Sequence, residues 1–153
     1  MAYAETTTVA VEKSIAEIIG LLKKAGAVRI GQVEEPGSFT IEFFLSDRRI
    51  RFCVILPAID EMPSVDGRGS TLTAQRRRDI LAQRHRQRAR ALLLVIKAKL
   101  ESVESRVETF EQAFLANVVL PGGATVYDSI SAPIADQYAG GTPGQLRLES
   151  GGR

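Results

Sequence analysis

The 153-residue chain has no tryptophan, one histidine and one cysteine. These absences exclude a good deal. With Cys53 alone no internal disulfide can form, and its place in the run Arg51-Phe52-Cys53-Val54-Ile55 reads as a buried structural thiol in a reducing compartment. No Gly-x-Ser-x-Gly, Walker or His-Glu-x-x-His pattern occurs, and the scarcity of histidine and cysteine leaves little to build a metal site from. The expectation is a non-enzyme with no catalytic residue, no metal and no cofactor. Glu34-Glu35 and Asp60-Glu61 are carboxylate pairs in turns, where solvated surface is their ordinary role. No apolar stretch approaches the ~20 residues of a membrane span, and the first ten residues lack the basic-then-apolar order of a signal peptide. A cytoplasmic protein without membrane contact is therefore expected, and the 44% apolar and 25% charged residues fit one ordinary globular domain.

The net charge of +2 hides an uneven distribution. Segment 76–90 holds seven arginines against one aspartate, a local charge of +6, which leaves the rest of the chain at −4. At about 100° per residue, Arg77, Arg84 and Arg88 lie along one side of a helix, and Arg76, Arg90 and, less closely, Arg86 along another. Like charges so close repel one another, and cations near a helix N-terminus oppose its macrodipole. A polyanion or an acidic protein surface would relieve both costs. Arg76, Arg77, Arg84, Arg86, Arg88 and Arg90 are the candidate anion-binding residues. His85, set among them, reads as a solvated helix histidine, and the absence of aromatics in the strip argues against stacking on bases.

Periodicity supplies the rest of an α+β fold. Ile15, Ile18, Ile19, Leu22 and Ala25 recur at helical spacing, with Ser14 and Glu17 as a capping box and Gly26 as the stop. Thr6 to Val11 ahead of this helix is β-prone and is expected to add an edge strand. Three strands follow, over 27–33, 39–45 and 49–56, joined by short turns as an antiparallel meander. Phe39, Ile41, Phe43 and Leu45 share one face, as do Ile50, Phe52, Val54 and Leu56. Residues 57–73 read as a long mobile loop.

A long helix begins near Thr73 or Ala74. Past the arginines, Ile96, Leu100, Val103, Val107, Phe110 and Phe114 continue a spacing of coiled-coil type, which predicts a homo-oligomer seam. A helix reaching Phe114 would be roughly 60 Å long at ~1.5 Å per residue, too long for this domain, so a break is expected over 101–105, where Ser102 and Ser105 sit. A hairpin turning on Pro121-Gly122-Gly123 and a short helix opening near Ser131, with Pro133 in its first turn, complete a domain over 1–139. The tail 140–153 has the composition of a disordered end.

In outline, helix, three strands and a second helix opening with arginines, the chain is similar to a double-stranded-RNA-binding domain, without that domain's lysine signature. A fuller resemblance rests on the run 7–14 (TTVAVEKS) with Ala16-Glu17-Ile18, on Arg49-Ile50-Arg51-Phe52, and above all on 91–105 (ALLLVIKAKLESVES). Thr109-Phe110-Glu111, Phe114-Leu115-Ala116 and Val119-Leu120-Pro121 continue it. These stretches resemble a group of small uncharacterised bacteriophage and prophage proteins, which tend to carry an aromatic at Ala89 and a glycine at Arg106; the arginine is expected to straighten the helix there.

That resemblance implies a mobile-element setting in a bacterial cytoplasm and brings no activity or site. The expected function is that of an accessory protein binding nucleic-acid phosphates through the arginine-rich helix. The alternatives are an anti-defence or regulatory protein that inhibits an acidic host protein, and a sponge that sequesters a nucleotide signal.

Overall fold

The computed structural model describes residues 4–141. Helix α1 (Val11–Lys24) buries Ile15, Ile18 and Leu22, the apolar stripe read from the sequence. Its start differs from expectation. Ala10 is the N-cap and makes no side-chain cap, while Ser14 lies a turn inside the helix, fully buried, with its Oγ unpaired. Residues 4–10 form a turn and coil rather than an edge strand. Gly26, at φ +92°, closes the helix as expected.

Three antiparallel strands follow, β1 (Val28–Glu35), β2 (Ser38–Leu45) and β3 (Arg48–Ile55), in the order β1-β2-β3. Gly37 supplies the positive φ that the turn after Pro36 needs, and Ser46 and Asp47 both take positive φ in a two-residue turn whose twist matches that of the flanking strands. Phe39, Ile41, Phe43, Ile50 and Phe52 point inward and are buried. Cys53 is exposed, which corrects its reading as a buried thiol: one residue past Phe52 the strand's alternation turns the side chain to the outer face. On that face Glu42 accepts from Nε of Arg49 at 2.7 Å and from Nε of Arg51 at 2.9 Å. Burial acts to raise the Glu42 pKa, and the hydrogen bonds and charges of the two guanidinium groups outweigh it and hold the carboxyl below its ordinary value.

After β3, a 3₁₀ turn at Ile59–Glu61 and a turn in which Asp66 Oδ1 accepts from the backbone N–H groups of Arg68 and Ser70 lead to α2 (Ala74–Glu104). The break expected over 101–105 is present. The helix ends at Glu104, Arg106 adopts φ +59°, and the Val107 amide donates to the Ser102 carbonyl at 2.9 Å. The chain therefore turns at Arg106, where the arginine was expected to straighten it.

This turn undoes the predicted seam as one continuous helical stripe. Ile96 and Phe114 are fully buried within the same chain, Leu100, Val103 and Phe110 pack against that core, and Val107 stands out of it at 78% exposure. Helix α3 (Phe110–Phe114) drops Phe114 onto the sheet, edge-on to Phe43 at 6.5 Å and to Phe52 at 6.4 Å. The core thus lies between the inner sheet face and the layer of α1, α2 and α3.

The expected turn at 120–124 is closed by the Leu120 amide donating to Ala124 O, with Val119 donating to Arg49 O beside β3. Helix α4 (Val126–Tyr138) starts earlier than expected. Thr125 and Asp128 form its capping box, so Pro133 falls in the helix interior and not in the first turn. Beyond Gly141 the tail lies outside the described residues.

Candidate anion-binding helix

Helix α2 opens on Thr73, whose Oγ1 accepts from the Arg76 amide at 3.1 Å. Its first buried side chain is Ala89, so about four turns, roughly 22 Å at ~1.5 Å per residue, precede the part anchored in the core. Six of the seven arginines occupy this overhang and Arg90 lies just past it, and their surroundings divide them.

One flank is fastened to the chain leaving β3. Arg77 Nη2 donates to the carbonyls of Ile59 (2.9 Å) and Met62 (3.2 Å), and Arg88 Nη1 to that of Ile55 (3.2 Å). His85 Nε2 donates to Pro57 O at 3.0 Å, so the histidine expected to be solvated is half-buried and engaged. The opposite flank holds the N-terminal segment. Gln83 donates to the carbonyls of Glu5 and Thr7, both at 2.9 Å, Arg86 donates to Gln83 Oε1, and Arg90 pairs with Glu17 of α1 at 2.9 Å. Arg77, Arg88 and Arg90 are therefore positioning residues for the fold, although only Arg90 is neutralised by a carboxylate.

What faces solvent is a smaller set. Arg76 makes no side-chain hydrogen bond or ion pair among the described residues. Arg84 reaches only Gln87 at 3.3 Å, and Arg78 only Gln75 at 2.8 Å; all three arginines are exposed. Arg78 was absent from the candidates of the sequence. It lies five helical turns before Ile96, on the same side of the helix, and sequence spacing alone places it over the core. It is exposed because the body ends before the helix does. The single acid of the segment, Asp79, accepts from the Gln75 amide at 2.9 Å. The arrangement presents guanidinium groups to solvent on a rigid helix, the donor geometry suited to phosphate or carboxylate oxygens.

A groove of about 490 Å³ lies at the other end of α2, with Leu100, Val103 and Phe110 on its walls and Lys24, Lys97 and Glu101 among its polar residues. It contains none of the seven arginines. Among the described residues no cluster of histidine, cysteine and carboxylates could hold a metal ion, and no helix is long and apolar enough to cross a membrane. The chain matches no protein-family model, no curated protein and no solved structure.

Proposed function

We propose that the protein is a non-enzymatic accessory protein, of the phage or prophage kind its sequence resembles, that binds nucleic-acid phosphates through the exposed face of the α2 overhang. The supporting observation is the set Arg76, Arg78 and Arg84, exposed and without a carboxylate partner among the described residues on a segment of local charge +6. Arg86 adds charge beside them. Binding of this kind gains affinity from released counterions and carries no base readout. Three to five phosphate contacts correspond to a loss of affinity of roughly 40- to 500-fold between 50 and 200 mM salt.

The test is titration of labelled single- and double-stranded DNA and RNA with the purified protein across that salt range. The variant carrying Arg76→Glu, Arg78→Glu and Arg84→Glu is expected to lose binding and keep its circular dichroism and melting temperature. Affinity that survives this variant, or that ignores salt, overturns the proposal. A second reading, an acidic protein surface as the partner, is favoured by Ile80, which lies half-buried between Arg76 and Arg84 at helical spacing. An apolar side chain between two cations suits a protein surface better than a sugar-phosphate chain. Absence of nucleic-acid binding at the lowest salt would move the assignment there.

A further inference from the structure

Strand β1 is open along one edge, since it pairs with β2 on one side and no described segment pairs with the other. Seven of its eight residues are exposed, with Val28 at 59% and Val33 at 56%. Open strand edges of this length are templates for a further strand, and folds usually blunt them with charge, proline or a bulge. Here the bulge is confined to one end, between Val28 and Gly31, and the run from Gly31 to Glu35 is regular. Its charges are not of one sign: Arg29 stands at one end and Glu34-Glu35 at the other.

We infer that the β1 edge is a self-complementary surface that pairs antiparallel with β1 of a second copy of this chain. A two-fold axis normal to the sheet requires opposed residues to share a face. Val33 and Glu35 lie opposite Thr40 and Ser38 of β2, Gly31 lies opposite Glu42, and Arg29 stacks over Phe44 at 5.4 Å, so all four occupy the outer face. With Gln32 on the axis, Val33 of each copy meets Gly31 of the other in the regular run, and Arg29, in the bulge at φ +52°, stands beside Glu35 of the other within reach of its long side chain. A side chain built at Gly31 would meet nothing within 4 Å, so the space Val33 needs is present. Registers shifted by two residues place Arg29 opposite Val33 or beyond Glu35, and neither brings opposite charges together. The matched register joins two three-stranded sheets into one of six strands, with the helical layer of each copy on the same side.

The contact is one strand long, so it forms a reversible dimer whose population rises with protein concentration. Light scattering or sedimentation over a concentration series is expected to show a mass rising from 16.6 kDa toward twice that value. Glu35→Arg, and separately Arg29→Glu, should each weaken association at least tenfold, and the two together should restore it. A Gln32→Cys variant in a Cys53→Ser background should oxidise to a covalent dimer, because the axis residue faces its own copy at disulfide distance. A chain that stays at 16.6 kDa throughout overturns the inference, and so does a dimer that neither single reversal weakens or that Gln32→Cys fails to cross-link.

Discussion

The two halves of α2 are held to the body by different physics. From Ala89 onward the helix is anchored by burial, with Ala89, Leu92, Leu93 and Ile96 packed against α1 and the sheet. Before Ala89 no side chain of the helix is buried, and it is fastened by Arg77, His85 and Arg88 donating to backbone carbonyls of residues 55–62 and by Gln83 donating to carbonyls of the N-terminal segment, with the Arg90–Glu17 pair just past the boundary. The first half of the helix thus uses polar side chains, two of them arginines, for a task that apolar side chains perform in the second. Arginine suits it, because one planar group can satisfy two carbonyls while its charge remains available to a distant anion. It follows that a basic strip is not automatically a binding surface, since some of its members are structural.

The contrast can be tested by removing one kind of anchor at a time. Phe114→Ala in the buried region should cost about 3–5 kcal/mol, the largest loss of all, seen as a cooperative fall in denaturant midpoint and melting temperature. Arg77→Ala in the overhang should cost about 1–3 kcal/mol, and its signature should be local, with faster amide exchange over 57–62 and the exchange of β2 and β3 little changed. An equal loss of protection throughout would show that the overhang and the core unfold as one unit. Glu42→Gln, on the sheet, should cost about 1–2 kcal/mol by weakening two charge-assisted bonds. Because the Glu42 pKa is lower folded than unfolded, its stabilisation is complete above its ordinary value of 4.5 and is lost as pH falls below that through the folded value. Unfolding followed from pH 6 to pH 3 should therefore lose this contribution in wild type and show it missing at every pH in the variant. Arg76→Ala should change stability by less than about 0.5 kcal/mol while lowering the salt slope of nucleic-acid binding by about one contact.

Much of the framework is legible in the residues themselves. Strict alternation in Phe39-Thr40-Ile41-Glu42-Phe43 names the inner face of β2, and the serines at 102 and 105 bracket the point where α2 ends. At Cys53 the apolar run suggests burial while the alternation beginning at Ile50 assigns the side chain outward, and the alternation prevails. In α4 the preference of proline for a first turn yields to the Thr125-x-x-Asp128 cap, which starts the helix eight residues before Pro133. The residue type of Ser14 suits a cap, but the helix begins at Val11 and buries it a turn inside. The candidate site was only half legible. That segment 76–90 is basic follows from composition, but which arginines are engaged depends on carbonyls of residues 55–62, and backbone acceptors leave no trace in residue identity.

The corner at Arg106 brings the end of α2 and α3 back onto one core. A left-handed φ at a non-glycine residue costs roughly 1–2 kcal/mol, so the reversal is maintained by what it delivers, namely Phe110 and Phe114 to the core of their own chain. Were residues 106–109 all to take helical torsions, the same aromatics would be carried outward along a continued rod and leave the core open. The corner from Arg106 to the extended Thr109 is thus the short segment on which closure of the aromatic core within one chain depends.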